Sequence, residues 1–318
     1  MKKESQSIIN EDGNLDFKPL SFFKELFLPH DELPEYYRKK REYEYYHGTN
    51  LRGINWRDKL HPILLKLFSL NRCLIDKQTL TVINDKREKT DKPVIYAITH
   101  IGKFDLQIVS EAIKDHQYTF AGDPETMYRT SDGFFLSLNG LVYCDTESKT
   151  DRRIAQATAI DLVKENQNLM IYPEGVWNLS ANLLMLPLFS GVINIAQQTG
   201  CDIIPVAIEQ YGNDFVVNIG SNFKVNEEFL DDADNKKYVE TKKEQLRNIM
   251  ATLKWEIIES RPMIKRTDLG DYGEEENKFI DVVIFNRAFL KNNIKQLVTA
   301  LSSCRAPSSV QTSRQILP

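Results

Sequence analysis

Between residues 93 and 208, short apolar runs alternate with longer stretches whose apolar residues recur every three or four positions, and few architectures accommodate that alternation. Pro93-Val94-Ile95-Tyr96-Ala97-Ile98-Thr99 is dominated by β-branched and aromatic side chains and reads as a buried strand. Comparable runs lie at 118–122, 141–144, 168–173 and 202–208. Between them, the stretch opened by Asp105, with Leu106, Ile108, Val109, Ala112 and Ile113, and the stretches 125–137, 151–165 and 190–200 carry helical spacing. The pattern predicts an α/β fold with a mixed, largely parallel sheet covered by helices, because parallel strands need crossovers that helices supply.

The flanks read differently. Residues 1–91 are aromatic, charged and helical in pattern, 92–223 form the α/β core, and 224–301 form a charged helical region packed on that core, with helices expected at 240–259 and 274–301. The last stretch, 302–318, lacks acidic residues, is rich in Ser, Arg and Pro, and is expected to be a disordered tail. Near the start, Phe22, Phe23, Leu26 and Phe27 precede Tyr36-Tyr37-Arg38-Lys39-Lys40-Arg41. Rings beside cations suit peripheral contact with a membrane surface, and equally suit helix faces docked on a core. His30, His47 and His61 have no partner spacing and read as structural.

With 318 residues, 42% of them hydrophobic, the chain can bury a substantial core. A formal net charge of -4 argues against broad nucleic-acid binding, which needs a dominant basic surface. Cys73, Cys144, Cys201 and Cys304 are scattered without accompanying histidines, so neither a metal site nor a disulfide framework is expected, and the thiols fit a reducing cytoplasm. Met1-Lys2-Lys3-Glu4-Ser5 leads into polar sequence, and no apolar run reaches the ~18 residues of a spanning helix. The expected location is cytoplasmic, with contact at the inner membrane surface as the peripheral option. Phosphate-cradling Gly-Lys loops, dinucleotide fingerprints and nucleophile elbows are absent from the sequence.

Two clusters carry chemistry. In Thr99-His100-Ile101-Gly102-Lys103-Phe104-Asp105 a histidine and a carboxylate stand five residues apart where a strand becomes a helix. Five helical steps of ~100° would splay them, so only a turn can bring them together. A neutral imidazole whose second nitrogen is held by a carboxylate can take a proton from a hydroxyl, and the bland alternative is a strand end followed by a helix cap. The second cluster is Glu174-Gly175-Val176-Trp177-Asn178, delivered to a loop where the apolar run Asn168-Leu169-Met170-Ile171-Tyr172-Pro173 breaks at Pro173. Pro205 inside the next apolar run suggests an edge, a bulge or a strand start, and the apolar stretch 183–196 either lines an apolar channel or fills the core.

Taken in order, His100 and Asp105, Gly140-Leu141-Val142-Tyr143-Cys144-Asp145-Thr146, Pro173-Glu174-Gly175-Val176-Trp177 and Ile204-Pro205-Val206 resemble the blocks of the glycerolipid acyltransferase superfamily, which includes the lysophosphatidic acid acyltransferases. The resemblance spans about residues 92–223. It implies transfer of a fatty acyl group from an acyl-CoA or acyl-carrier-protein thioester, used as co-substrate with no bound cofactor, to a hydroxyl of a lysophospholipid or glycolipid-like acceptor. It also implies His100 and Asp105 as the catalytic pair, and Gly102, Lys103, Glu174, Gly175 and Trp177 as substrate-binding residues, with N–H groups near Gly102 or Gly175 as oxyanion donors. Members that bind a glycerol phosphate carry arginine where this chain has Thr146 and Trp177; Lys103, Arg129, Lys149, Arg152 and Arg153 are the nearby cations in sequence. A hydrolase using the same pair on water, and a non-catalytic lipid-binding protein on the same fold, are the alternatives.

Overall fold

The computed structural model describes residues 8, 16–102, 104–122, 127–178, 183–225 and 232–261. Strands β1 (Thr79–Asp85), β2 (Val94–Ile98), β3 (Gln117–Gly122), β4 (Leu141–Cys144), β5 (Asn168–Ile171), β6 (Asp202–Tyr211) and β7 (Asp214–Ile219) form one sheet in the order β1-β7-β6-β2-β5-β3-β4. Neighbours run parallel except β6 and β7, which form an antiparallel hairpin closed by Gly212 and Asn213. The helices are α1 (Phe22–Leu26), α2 (Leu33–Tyr46), α3 (Ile54–Leu70), α4 (Asp105–Ile113), α5 (Ser131–Asn139), α6 (Lys149–Lys164), α7 (Gly191–Thr199) and α8 (Asp232–Glu259), with a short π-turn, Asn71–Ile75, after α3.

Strand alternation divides the core into two layers. Ile95 and Ala97 of β2, with Leu169, Ile171 and Ile203, face α6, α7 and α8, packing on Ala159, Ile193 and Met250. Val94, Tyr96 and Ile98, with Met170, Ile204 and Val206, face α4 and pack on Ile108, Val109 and Ile113. All five residues of β2 are buried, as expected of a central strand covered on both faces. The apolar segment 183–196 largely fills core, since Met185, Leu186, Leu188, Val192 and Ile193 are almost fully buried while Leu183 and Phe189 remain exposed.

Four features depart from the sequence reading. Residues 79–85, assigned by pattern to a helical region, form β1 beside β7 at the sheet edge; Thr79-Leu80-Thr81-Val82 already alternates as a strand does. The β6–β7 hairpin went unanticipated, although Gly212-Asn213 between apolar runs is its ordinary signal. Pro205 sits inside an interior strand, paired with Ala97. It is tolerated there because its N and O both face the end of β7, where the carbonyl accepts from Gly220 N and the continuous ladder begins one residue later at Val206, so the missing N–H costs the pairing with β2 nothing and falls where the β6–β7 hairpin ends. The helix expected at 240–259 begins earlier, at Asp232; that expected at 274–301 and the tail at 302–318 lie outside the described residues.

Candidate active site

The chain leaves β2 through α4 on one face of the sheet and leaves β5 toward α7 on the other. Because these connections diverge, a crevice opens between the carboxyl ends of β2 and β5, the place where open α/β sheets present ligands. His100 stands at one side of it and residues 172–178 at the other. The β2–β5 register, in which Ala97 pairs with Ile171, carries on past the strand ends and sets His100 opposite Glu174.

A tight turn closes the spacing between His100 and Asp105. Asp105 is the first residue of α4 and is buried, 1% exposed. Its Oδ2 accepts from Ile101 N at 2.6 Å, from Gly102 N at 2.9 Å and from His100 Nδ1 at 2.8 Å. An oxygen that already accepts from two backbone N–H groups can only be an acceptor for the ring, so Nδ1 carries the hydrogen and Nε2 the lone pair. Nε2 has no hydrogen-bond partner among the described residues, and the side chain is 22% exposed. Asp105 Oδ1 is likewise buried with no partner among the described residues.

The loop after β5 wraps the same histidine from four directions. Tyr172 stacks on the imidazole, with ring centroids 4.3 Å apart and planes at 29°. Trp177 stands edge-on at 5.8 Å and 82°. Glu174 Oε1 accepts from His100 N at 3.1 Å, and Asn178 N donates to His100 O at 2.7 Å. Asn178 in turn ties the loop to the carbonyls of Leu183 and Leu184 through its side-chain amide. Gly175 is needed at the bend: its φ is +70°, and a Cβ there would lie 2.5 Å from Phe189 Cε2.

Glu174 is 2% exposed and its second oxygen accepts from Leu186 N at 2.8 Å. Burial raises its pKa, opposed by the N–H of Leu186, the charge of Lys254 and the N–H of His100. Lys254, on α8, is itself buried and paired with Glu209 of β6 at 2.8 Å. Glu174 is thus a buried brace between the two halves of the crevice. Tyr172 is held well above the ordinary phenol range, mainly by burial and then by the charge of Asp105, so it stays neutral.

Other expected contributors are placed differently. The Gly102 N–H is already donated to Asp105, and the Gly175 N–H to Tyr172 O at 3.0 Å, so neither is available to an oxyanion in this arrangement. Lys103 lies outside the described residues. Thr146 follows β4, three strands from β2, or about 14 Å across the sheet. Arg152 donates to Thr146 O, Arg153 to Tyr46 OH at 3.1 Å, and Arg129 to the carbonyls of Leu28 and Glu25. The Arg38–Arg41 cations are paired as well, Arg38 with Glu35 and Glu42, Lys39 with Glu35, Lys40 with Glu25, and Arg41 with Asp151. Tyr172 and Asn178 were within reach of sequence reasoning as the flanks of the Pro-Glu-Gly loop; Lys254, remote in sequence, carried no signal.

Comparison with known proteins converges on this region. The acyltransferase family model matches residues 79–209. An uncharacterised acyltransferase of Schizosaccharomyces pombe is 25% identical over 133 residues, covering 42% of this chain and 47% of that protein. A 1-acyl-sn-glycerol-3-phosphate acyltransferase of Saccharomyces cerevisiae is 26% identical over 118 residues, covering 37% of this chain and 39% of that protein. The matches therefore span about half or less of those relatives. In fold, the chain is similar to the crystal structure of a 1-acyl-sn-glycerophosphate acyltransferase from Thermotoga maritima, with a TM-score of 0.50 and 15% identity over 72% of this chain and 91% of that one. The matched stretch contains His100, Asp105 and the whole loop that encloses the imidazole, so the region this chain shares with acyltransferases is the region of this site.

Proposed function

We propose that this protein is an O-acyltransferase that moves a fatty acyl group from an acyl-CoA or acyl-carrier-protein thioester to a hydroxyl of a lysolipid-type acceptor. The observation that carries this is the imidazole of His100, with Nδ1 engaged by Asp105 and Nε2 unbonded among the described residues at the carboxyl end of the sheet. Nε2 takes the acceptor's hydroxyl proton as the oxygen attacks the thioester carbonyl. Asp105 stabilises the imidazolium that forms. The tetrahedral adduct then collapses, the carbon–sulfur bond breaks, and the departing thiolate receives the proton from Nε2. No enzyme-bound acyl intermediate is required. Incubation with a labelled acyl thioester and a panel of hydroxyl acceptors tests the reading; release of free fatty acid at the same rate with and without acceptor would favour hydrolysis instead.

The acceptor follows from the walls of the crevice. Trp177, beside His100, presents an apolar ring where phosphate-binding members carry a guanidinium, and Arg152 is engaged by a backbone carbonyl. Losing the charge-assisted contact at the Trp177 position, roughly 1.5–3 kcal/mol, leaves little preference for a phosphorylated acceptor over a neutral one. Comparing lysophosphatidic acid with monoacylglycerol and a glycolipid acceptor, and then repeating with Trp177→Arg, tests this. A strong phosphate preference in the unmodified protein that survives removal of Lys103, Arg152 and Arg153 would refute it.

Peripheral membrane contact fits the same substrate class, by a different surface from the basic cluster. No described helix is long and apolar enough to cross a bilayer. Ile63, Leu67, Leu70 and Leu74 recur along one face of α3 and the turn after it, all more than 45% exposed, and α5, which packs beside α3, exposes Phe134. Since the cations of 38–41 are internally paired, binding should be driven by apolar insertion and persist in salt. Vesicle flotation in high salt checks this, with Leu67→Glu/Leu70→Glu as the variant expected to stay unbound.

A further inference from the structure

We propose that Tyr172 is a positioning residue for the general base, holding the plane of the His100 ring and stabilising the imidazolium formed during transfer. The inference rests on the acyl-transfer reading above. Asp105 fixes only one atom of the ring, Nδ1, and a single hydrogen bond leaves the imidazole free to swing about the line through it. The backbone of His100 is pinned by Glu174 and Asn178, but those bonds do not reach the ring. What fixes its plane is the face of Tyr172, 4.3 Å away and nearly parallel, with Trp177 standing as a perpendicular stop. An imidazolium over an aromatic face is favoured by the ring quadrupole, an attraction absent from the neutral imidazole, so the contact strengthens as the proton arrives. The hydroxyl of Tyr172 takes no part, since its partner is Met170 Sδ, at 3.6 Å.

The ring, and not the phenol, is therefore the working part, and this separates the proposal from a purely structural role. Tyr172→Phe should transfer acyl groups at the unmodified rate. Tyr172→Leu and Tyr172→Met, which keep an apolar side chain in the core without an aromatic face, should lower kcat by about 3- to 30-fold with KM unchanged. In proton–carbon correlation spectra, the His100 ring protons should lie upfield in the unmodified protein and in Tyr172→Phe, and move downfield in Tyr172→Leu as the ring current is lost. Full kcat in a folded Tyr172→Leu, or equal losses in kcat and KM for Leu, Met and Phe alike, would overturn the proposal. If the unmodified protein transfers no acyl group to any acceptor, it is the functional reading that fails; the ring-proton shifts then still decide the stacking, and unchanged shifts in Tyr172→Leu would refute it on their own.

Discussion

His100 and His116 each stand at the end of a strand with a carboxylate at close range, at opposite ends of the same sheet. His116 precedes β3; its Nδ1 is 2.5 Å from Asp58 and its Nε2 lies 2.6 Å from the Asn139 carbonyl. Both ring nitrogens are thus faced by oxygens, and the residue joins α3 to the start of β3 and the end of α5. His100, paired with Asp105, keeps one nitrogen unbonded among the described residues. The surroundings run the other way. His116 borders an open concavity of about 1110 Å³, yet Arg87 in its lining is locked by Asp85, Asp115 and the Tyr96 hydroxyl. Room does not identify a reactive site; an unused lone pair on an otherwise immobilised base does.

The sharpest way to break this contrast is to remove each histidine. His100→Ala should lower turnover by roughly 10²- to 10⁴-fold, the usual contribution of general-base catalysis, while His116→Ala leaves the turnover of folded protein unchanged. Steady-state kinetics on purified variants checks both, and equal losses would end the distinction. The carboxylates make the second pair. Asp105→Asn should cost ~10²-fold or more in kcat through loss of tautomer control, with Asp58→Asn silent in the same assay.

Glycine substitutions extend the comparison to stability. Gly175 at φ +70° and Gly140 at φ +120° hold the loops at the two ends, and a Cβ at Gly140 would lie 2.6 Å from Tyr118 Cδ1. The left-handed backbone alone costs an alanine about 1–2 kcal/mol. Phe189, 62% exposed, can swing away from a methyl group added at Gly175, whereas Tyr118, 3% exposed, cannot yield to one added at Gly140. Gly140→Ala is therefore expected to be the more destabilising by denaturant titration, and Gly175→Ala the more damaging to turnover.

The smallest effect expected is the pH dependence at His116. Burial, ahead of the opposing Asn139 and Asp58 contacts, holds its pKa below the ordinary imidazole value of 6.5. Between that value and the depressed one, the unfolded chain binds more protons than the native protein, so this contribution to stability is full above about pH 6.5 and is lost as pH falls through the folded value. His116→Gln should flatten the fall in Tm between pH 7 and pH 5; an unaltered slope would assign the acid sensitivity to other groups.

Much of this molecule is legible in the chain because it depends on local pattern. The buried runs that became β2 to β6, the helices that became α4, α6 and α7, and the pairing of His100 with Asp105 across a turn all follow from apolar periodicity and from a spacing no continuous helix can close. β1 and β7 were missed because an edge strand and a hairpin partner are decided by which neighbour offers a free ladder, and pattern records that weakly. Tertiary structure alone brought Tyr172 onto the imidazole, set Lys254 near Glu174, bound Arg41 to Asp151, and engaged the Gly102 and Gly175 N–H groups elsewhere. A sequence specifies which groups can donate, accept or stack, but the partner each one takes depends on the strand order and register that bring distant segments within a few ångströms, and that is a property of the packed sheet and its layers.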